Sequence, residues 1–140
     1  MNAYQSLKAR HQEEVNAFPM EFAFSTKQFE EAMARLGLKP TDTDQVYKFS
    51  GTGGIYRRSD APALHEMFER HERERAEAIN ADTTGEGYIF EMFNYELANH
   101  EYGYTGDDSD TLNALGLTRE EINNNPALLR GFKKALAAQG

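Results

Sequence analysis

"YIFEMFNYELANHE", residues 88–101, decides how the rest of the chain must fold. At about 100° per residue, Glu91, Asn94, Ala98 and Glu101 fall together on one arc of about 80°. Tyr88, Ile89, Phe90, Met92, Phe93, Tyr95 and Leu97 occupy the rest of the circle. The spacing therefore predicts a central helix, buried around most of its circumference, with the other elements packed about it. Glu96 and His100 also fall on the inward side, one turn apart. An ionised Glu cannot be buried cheaply without a partner, so the pattern demands one.

The same wheel drawn on residues 60–79 supplies a candidate. Leu64, Met67, Phe68, Ala78 and Ile79 make its apolar face, and His71 and Arg75 lie in the middle of that face. Since a buried Arg cannot shed its charge, the economical expectation is an Arg75–Glu96 ion pair with His71 and His100 beside it. His71, Arg75, Glu96 and His100 are thus expected to form one polar cluster. Its first reading is a satisfied network that fixes helix packing. Its second is a site in a small enzyme or ligand-binding domain. Glu96 and His100 at i, i+4 could share a divalent ion with His71, or a His could serve as general base beside a carboxylate. Known motifs lend no support: "HEMFERH" places its histidines six apart rather than as HExxH, and neither a Glu-x-x-His pair nor a G-x-S-x-G elbow is present. No cofactor and no metal are assigned.

From "ADTTGEG" into the central helix, Asp82, Thr84, Glu86, Gly87 and Ile89 fall at positions 1, 3, 5, 6 and 8 of an EF-hand calcium loop. The twelfth position, however, is Phe93 where a bidentate Glu is needed. The loop is expected to cap one helix and start the next. Further out, Tyr4, Leu7 and Val15 predict a helix over 2–16, and Met20, Phe22 and Phe24 alternate with Glu21, Ala23 and Ser25 as a half-buried strand does. Ser25 with Gln28 forms a capping box for "TKQFEEAMARLGL", which Gly37 stops. "QVYKFSGTGGIYRRS" reads as a hairpin about a glycine-rich turn. Past the central helix come the turn-rich "YGYTGDDSD", a short helix "TLNALG", a capping box from Thr118 to Glu121, and a last helix opened by Pro126. The expectation is one α+β domain spanning 1–140, mainly helical, with a small antiparallel sheet from a hairpin at about 45–58 and a strand at about 20–25.

Composition narrows the function classes. The 140 residues are 39% hydrophobic and contain no Cys, which excludes disulfide frameworks and thiolate chemistry and suits a reducing, cytoplasmic compartment. No apolar run resembles a signal or a membrane span. The net charge of −8 argues against direct nucleic-acid or anionic-membrane binding. That charge is uneven: residues 76–118 carry nine carboxylates and no Lys or Arg. Glu86, Glu91, Glu101, Asp107, Asp108 and Asp110 are its expected surface charges, either a solvated face or a surface for a basic protein partner. Leu128, Leu129, Phe132 and Leu136 make an apolar stripe on the last helix, which suggests homo-oligomerisation as a third possibility.

At "NYELANHEYGYTGDDSDTLNALGLT", residues 94–118, the chain resembles a small family of bacterial proteins of unknown function carried by gut bacteria and their phages or conjugative elements. The resemblance extends through "EFAFSTKQFEEAMARLGL" and "LHEMFERHE". It brings no activity to carry over. It implies an accessory protein of a mobile element. Together with the charge pattern, the leading expectation is a cytoplasmic, non-enzymatic protein that occupies the basic, nucleic-acid-binding surface of a host protein.

Overall fold

The computed structural model describes all 140 residues. Eight α-helices and three short strands make an α+β fold: α1 (Ala3–Ala17), β1 (Met20–Phe22), α2 (Thr26–Arg35), β2 (Val46–Phe49), β3 (Gly54–Arg57), α3 (Ala61–Ala81), α4 (Tyr88–Asn99), α5 (Tyr102–Thr105), α6 (Ser109–Leu115), α7 (Arg119–Asn123) and α8 (Pro126–Ala138). The chain divides into two compact units, Met1–His11 with Arg73–Gly140, and Gln12–Glu72.

The helical unit is organised by α4. Ile89, Met92, Phe93 and Leu97 are at most 2% exposed and meet Leu128, Phe132 and Ala135 of α8, with Phe93 and Phe132 in an edge-to-face contact at 5.0 Å. Burial of each such side chain is worth about 1.5–3 kcal/mol. The stripe expected to mediate oligomerisation is thus covered from within: Leu128 and Phe132 are each 5% exposed, and Leu129 and Leu136 pack against the same core. The close approach of α8 to the start of α4 rests on two glycines. A Cβ on Gly131 would lie 2.5 Å from both the Gly85 carbonyl oxygen and Ile89 Cγ2, and one on Gly85, at φ +80°, 2.0 Å from the Ala127 carbonyl oxygen. Caps end the helices as the sequence indicates. Thr118 and Glu121 close a reciprocal box, and Asn125 accepts from the N–H groups of Ala127 and Leu128 ahead of α8.

The sheet unit holds the three strands in the order β1-β3-β2, all antiparallel, with Met20 opposite Tyr56 and Val46 opposite Arg57. α2 begins at its Ser25 cap and lays Phe29, Ala32 and Met33, with Leu36 at its end, against Ile55 and Val46. On the other face Tyr47 meets Tyr56 at 5.9 Å and Phe49 stacks on Phe68 of α3 at 6.1 Å. β1 is shorter than the alternation predicts. Beyond Phe22 the Phe24 N–H donates to the Gln28 side chain instead of to a neighbouring strand. Phe24, past the end of the strand, is 77% exposed, and Phe22 on β1 is 50% exposed.

Candidate functional site

Glu96 is only 3% exposed, as its place on the wheel requires, but its partners come from α1. The Tyr4 hydroxyl and the Lys8 ammonium both donate to Glu96 Oε2, the latter at 2.8 Å, while Asn99 Nδ2 lies 3.4 Å and His100 Nε2 3.9 Å from Oε1. Burial alone would raise the Glu96 pKa. The hydrogen bonds from Lys8 and Tyr4 and the charges of Lys8 and His100 outweigh it and hold the carboxyl below its ordinary range. Tyr4 shifts the other way, upward, through burial and then through its bond to that carboxylate. The expected Arg75–Glu96 pair does not form: Arg75 is exposed. A wheel fixes direction relative to a helix axis but not which neighbour the direction meets, and α1 fills that place.

His71 is buried as expected, at 2% exposure, and meets Glu14, not Glu96. Its Nε2 lies 2.6 Å from Glu14 Oε2, and Arg70 grips the same carboxylate through Nη2 at 2.5 Å and Nη1 at 3.3 Å. Those hydrogen bonds, Arg70 first, lower the Glu14 pKa from 4.5 to about 2. The single cluster of His71, Arg75, Glu96 and His100 is therefore replaced by two networks. Glu96 and His100 stay together in one, and His71 belongs to the other. No three His, Asp or Glu side chains gather in a way that could hold a metal ion. A carboxylate held ionised at neutral pH is also poorly suited to accept or deliver protons there.

Sequence reasoning missed Tyr4, Lys8 and Glu14. A signal for them exists in α1, where Tyr4, Lys8, His11 and Glu14 recur at helical spacing. An inward stripe made of polar groups has little apolar contrast, which is why the helix reads as weakly amphipathic.

The loop before α4 behaves as a cap. Asp82 Oδ1 accepts from the Gly85 N–H at 3.0 Å, and Oδ2 from Gly87 at 3.1 Å and Ile89 at 3.0 Å. Burial would raise its pKa, but these bonds and the Thr84 hydroxyl lower it. With its carboxylate turned onto the first turn of α4 and Phe93 fully buried, the calcium pattern is a coincidence of spacing.

Of the six expected surface carboxylates, the fold separates two groups. Glu86 lies 3.7 Å from Lys134, Asp108 is held through both oxygens by Arg119 at 2.8 Å, and Glu91 is half-buried. Glu101, Asp107 and Asp110 are exposed, and none enters an ion pair. They flank α5, whose Tyr104 is 95% exposed. Glu101 is the one non-glycine residue with positive φ, at 57°, and its carbonyl accepts from the N–H groups of Tyr104 and Thr105. Asp107 accepts from the Ser109 N–H at 2.9 Å, which lowers its pKa and keeps it charged. The result is a turn with one open aromatic ring and three free carboxylates.

Fold and site together define an α+β protein whose buried carboxylate Glu96 is partnered within the structure and whose turn around Tyr104 carries three carboxylates outside any ion pair. The chain belongs to DUF7659, a family of unknown function, which matches residues 3–138. No curated protein and no solved structure matches it. No helix is long and apolar enough to cross a membrane.

Proposed function

We propose that this protein is a non-enzymatic binding protein whose Glu101–Asp110 turn docks onto a basic surface of a protein partner. The observation that carries the reading is Tyr104, 95% exposed on a turn whose carboxylates Glu101, Asp107 and Asp110 have no cation of their own. Tyr is favoured at protein interfaces because it offers a rigid apolar body with a polar tip, and its ring face attracts Arg and Lys. The left-handed Glu101 supports the reading as well, since strain at a non-glycine residue persists where function holds it. The partner is a host protein that uses its basic surface to bind nucleic acid, and this protein is a cytoplasmic accessory of a phage or mobile element. What supports that setting is the resemblance carried by residues 94–118 and the absence of Cys.

The test is capture from a lysate of the native host at low ionic strength. The immobilised protein is expected to retain a basic protein that about 0.5 M NaCl releases. A variant carrying Glu101→Gln, Tyr104→Ala, Asp107→Asn and Asp110→Asn is expected to retain none of it. An empty capture, or one that the variant leaves unchanged, overturns the proposal.

A further inference from the structure

In the sheet unit, α2 covers only part of the face it packs on. Strand alternation places Lys48 on the same side as Val46, and Lys48 stands opposite Ile55 in the β2–β3 register. Beyond the reach of Phe29, this side opens into a cleft of about 630 Å³ between the first turn of α2 and the hairpin turn at 50–53. That volume lies within the roughly 300–1,000 Å³ usual for small-molecule sites. Phe24, Phe29 and Ile55 supply its apolar surface, and Lys48 is its one charged residue. No Asp or Glu lines it, in a chain with 23 of them.

Phe24 has an unusual position in this cleft. Its ring rests over the hairpin turn at Gly53, where φ is +74° and a Cβ would come within 2.4 Å of the ring. Glycine alone lets the ring lie so low, yet 77% of the residue still faces solvent. A large apolar ring held in place and left uncovered beside a concave apolar surface is the arrangement of a site with one wall waiting.

We propose that this cleft binds a small planar organic anion: an aromatic ring bearing one carboxylate-like or sulfonate-like group. The ring enters against Phe24, Phe29 and Ile55, and the anionic group faces the Lys48 ammonium. Charge complementarity selects this occupant. A cationic ligand would meet Lys48 with no carboxylate to receive it, and a nucleic-acid strand would need further cations along its backbone that the lining lacks.

The experiment is a fluorescence titration of the full chain with two probes of similar body, anionic 1-anilinonaphthalene-8-sulfonate and neutral N-phenyl-1-naphthylamine. Saturable one-to-one binding of the anion is expected. Lys48→Met should weaken the anion about five-fold and leave the neutral probe unchanged. Phe24→Ala should weaken both probes several-fold. Both positions are exposed, so the fold survives either change, as far-UV circular dichroism will verify. Absence of saturable binding overturns the assignment, and so does binding that neither substitution alters or an equal loss of both probes in Lys48→Met.

Discussion

Glu96 is the residue on which the helical unit turns, because an almost fully buried carboxylate is tolerable only while its donors remain. Tyr4→Phe removes one of them without changing shape and is expected to cost about 1–2 kcal/mol. Lys8→Met is expected to cost less, about 0.5–1 kcal/mol, since the Lys8 side chain is 47% exposed and water screens its charge. Urea unfolding at constant m-value checks both, and a larger loss in Lys8→Met would reverse the ranking.

Acid adds a second test at the same scale. Glu14 and Glu96 are both held below the ordinary 4.5, Glu14 to about 2. Between the folded and unfolded values the unfolded chain binds more protons, so stability rises with pH. It is fully present above about pH 5 and drains away as the pH falls through the folded values. The urea midpoint should therefore drop from about pH 6 to about pH 3, less steeply in Glu96→Gln and in Glu14→Gln. Equal slopes in all three proteins would contradict these networks. That Glu96 and His71 face inward was legible on the helical wheel. Their donors and acceptors were not, because Tyr4, Lys8 and Glu14 sit on α1, whose polar stripe has no hydrophobic contrast to reveal it.

Among the elements, the α4–α8 pair sets the frame and its spacing depends on Gly131. Gly131→Ala puts a methyl group into the Gly85 carbonyl and Ile89, and is expected to cost about 2–3 kcal/mol, read as a fall in thermal midpoint. The turn between α4 and α5 behaves in the opposite sense. Glu101→Gly relieves a left-handed side chain and is expected to stabilise by about 0.5–1 kcal/mol, while removing a carboxylate from the docking turn. A more stable variant with weakened partner capture is the expected outcome; unchanged capture would show that Glu101 takes no part in docking. Most elements were legible from caps and periodicity: Ser25, the Thr118–Glu121 box and Pro126 each open the helix they announce. The strand at 20–25 was overextended. Period-two alternation continues through Phe24, but pairing depends on hydrogen bonds, and at Phe24 the Gln28 side chain takes the N–H.

Over the whole molecule, the net charge of −8 is partly an average of neutralised pairs. Within residues 76–118 the sequence contains no cation, yet the fold brings Lys8 to Glu96, Arg119 to Asp108 and Lys134 to Glu86. Those cations lie outside the segment in the chain, so the charge run alone overstated the acidic surface. Of the carboxylates left outside ion pairs, Glu101, Asp107 and Asp110 cluster about Tyr104, and on that turn rests the proposal of a basic partner. The most direct measurement places the photo-crosslinking residue p-benzoylphenylalanine at position 104 and, as a control, at exposed position 137 of α8, in cells of the native host. Irradiation is expected to yield one adduct with a basic protein from position 104 only, and its yield should fall when Asp107 and Asp110 are neutralised. No adduct at position 104, or the same adduct from both positions, would contradict the account.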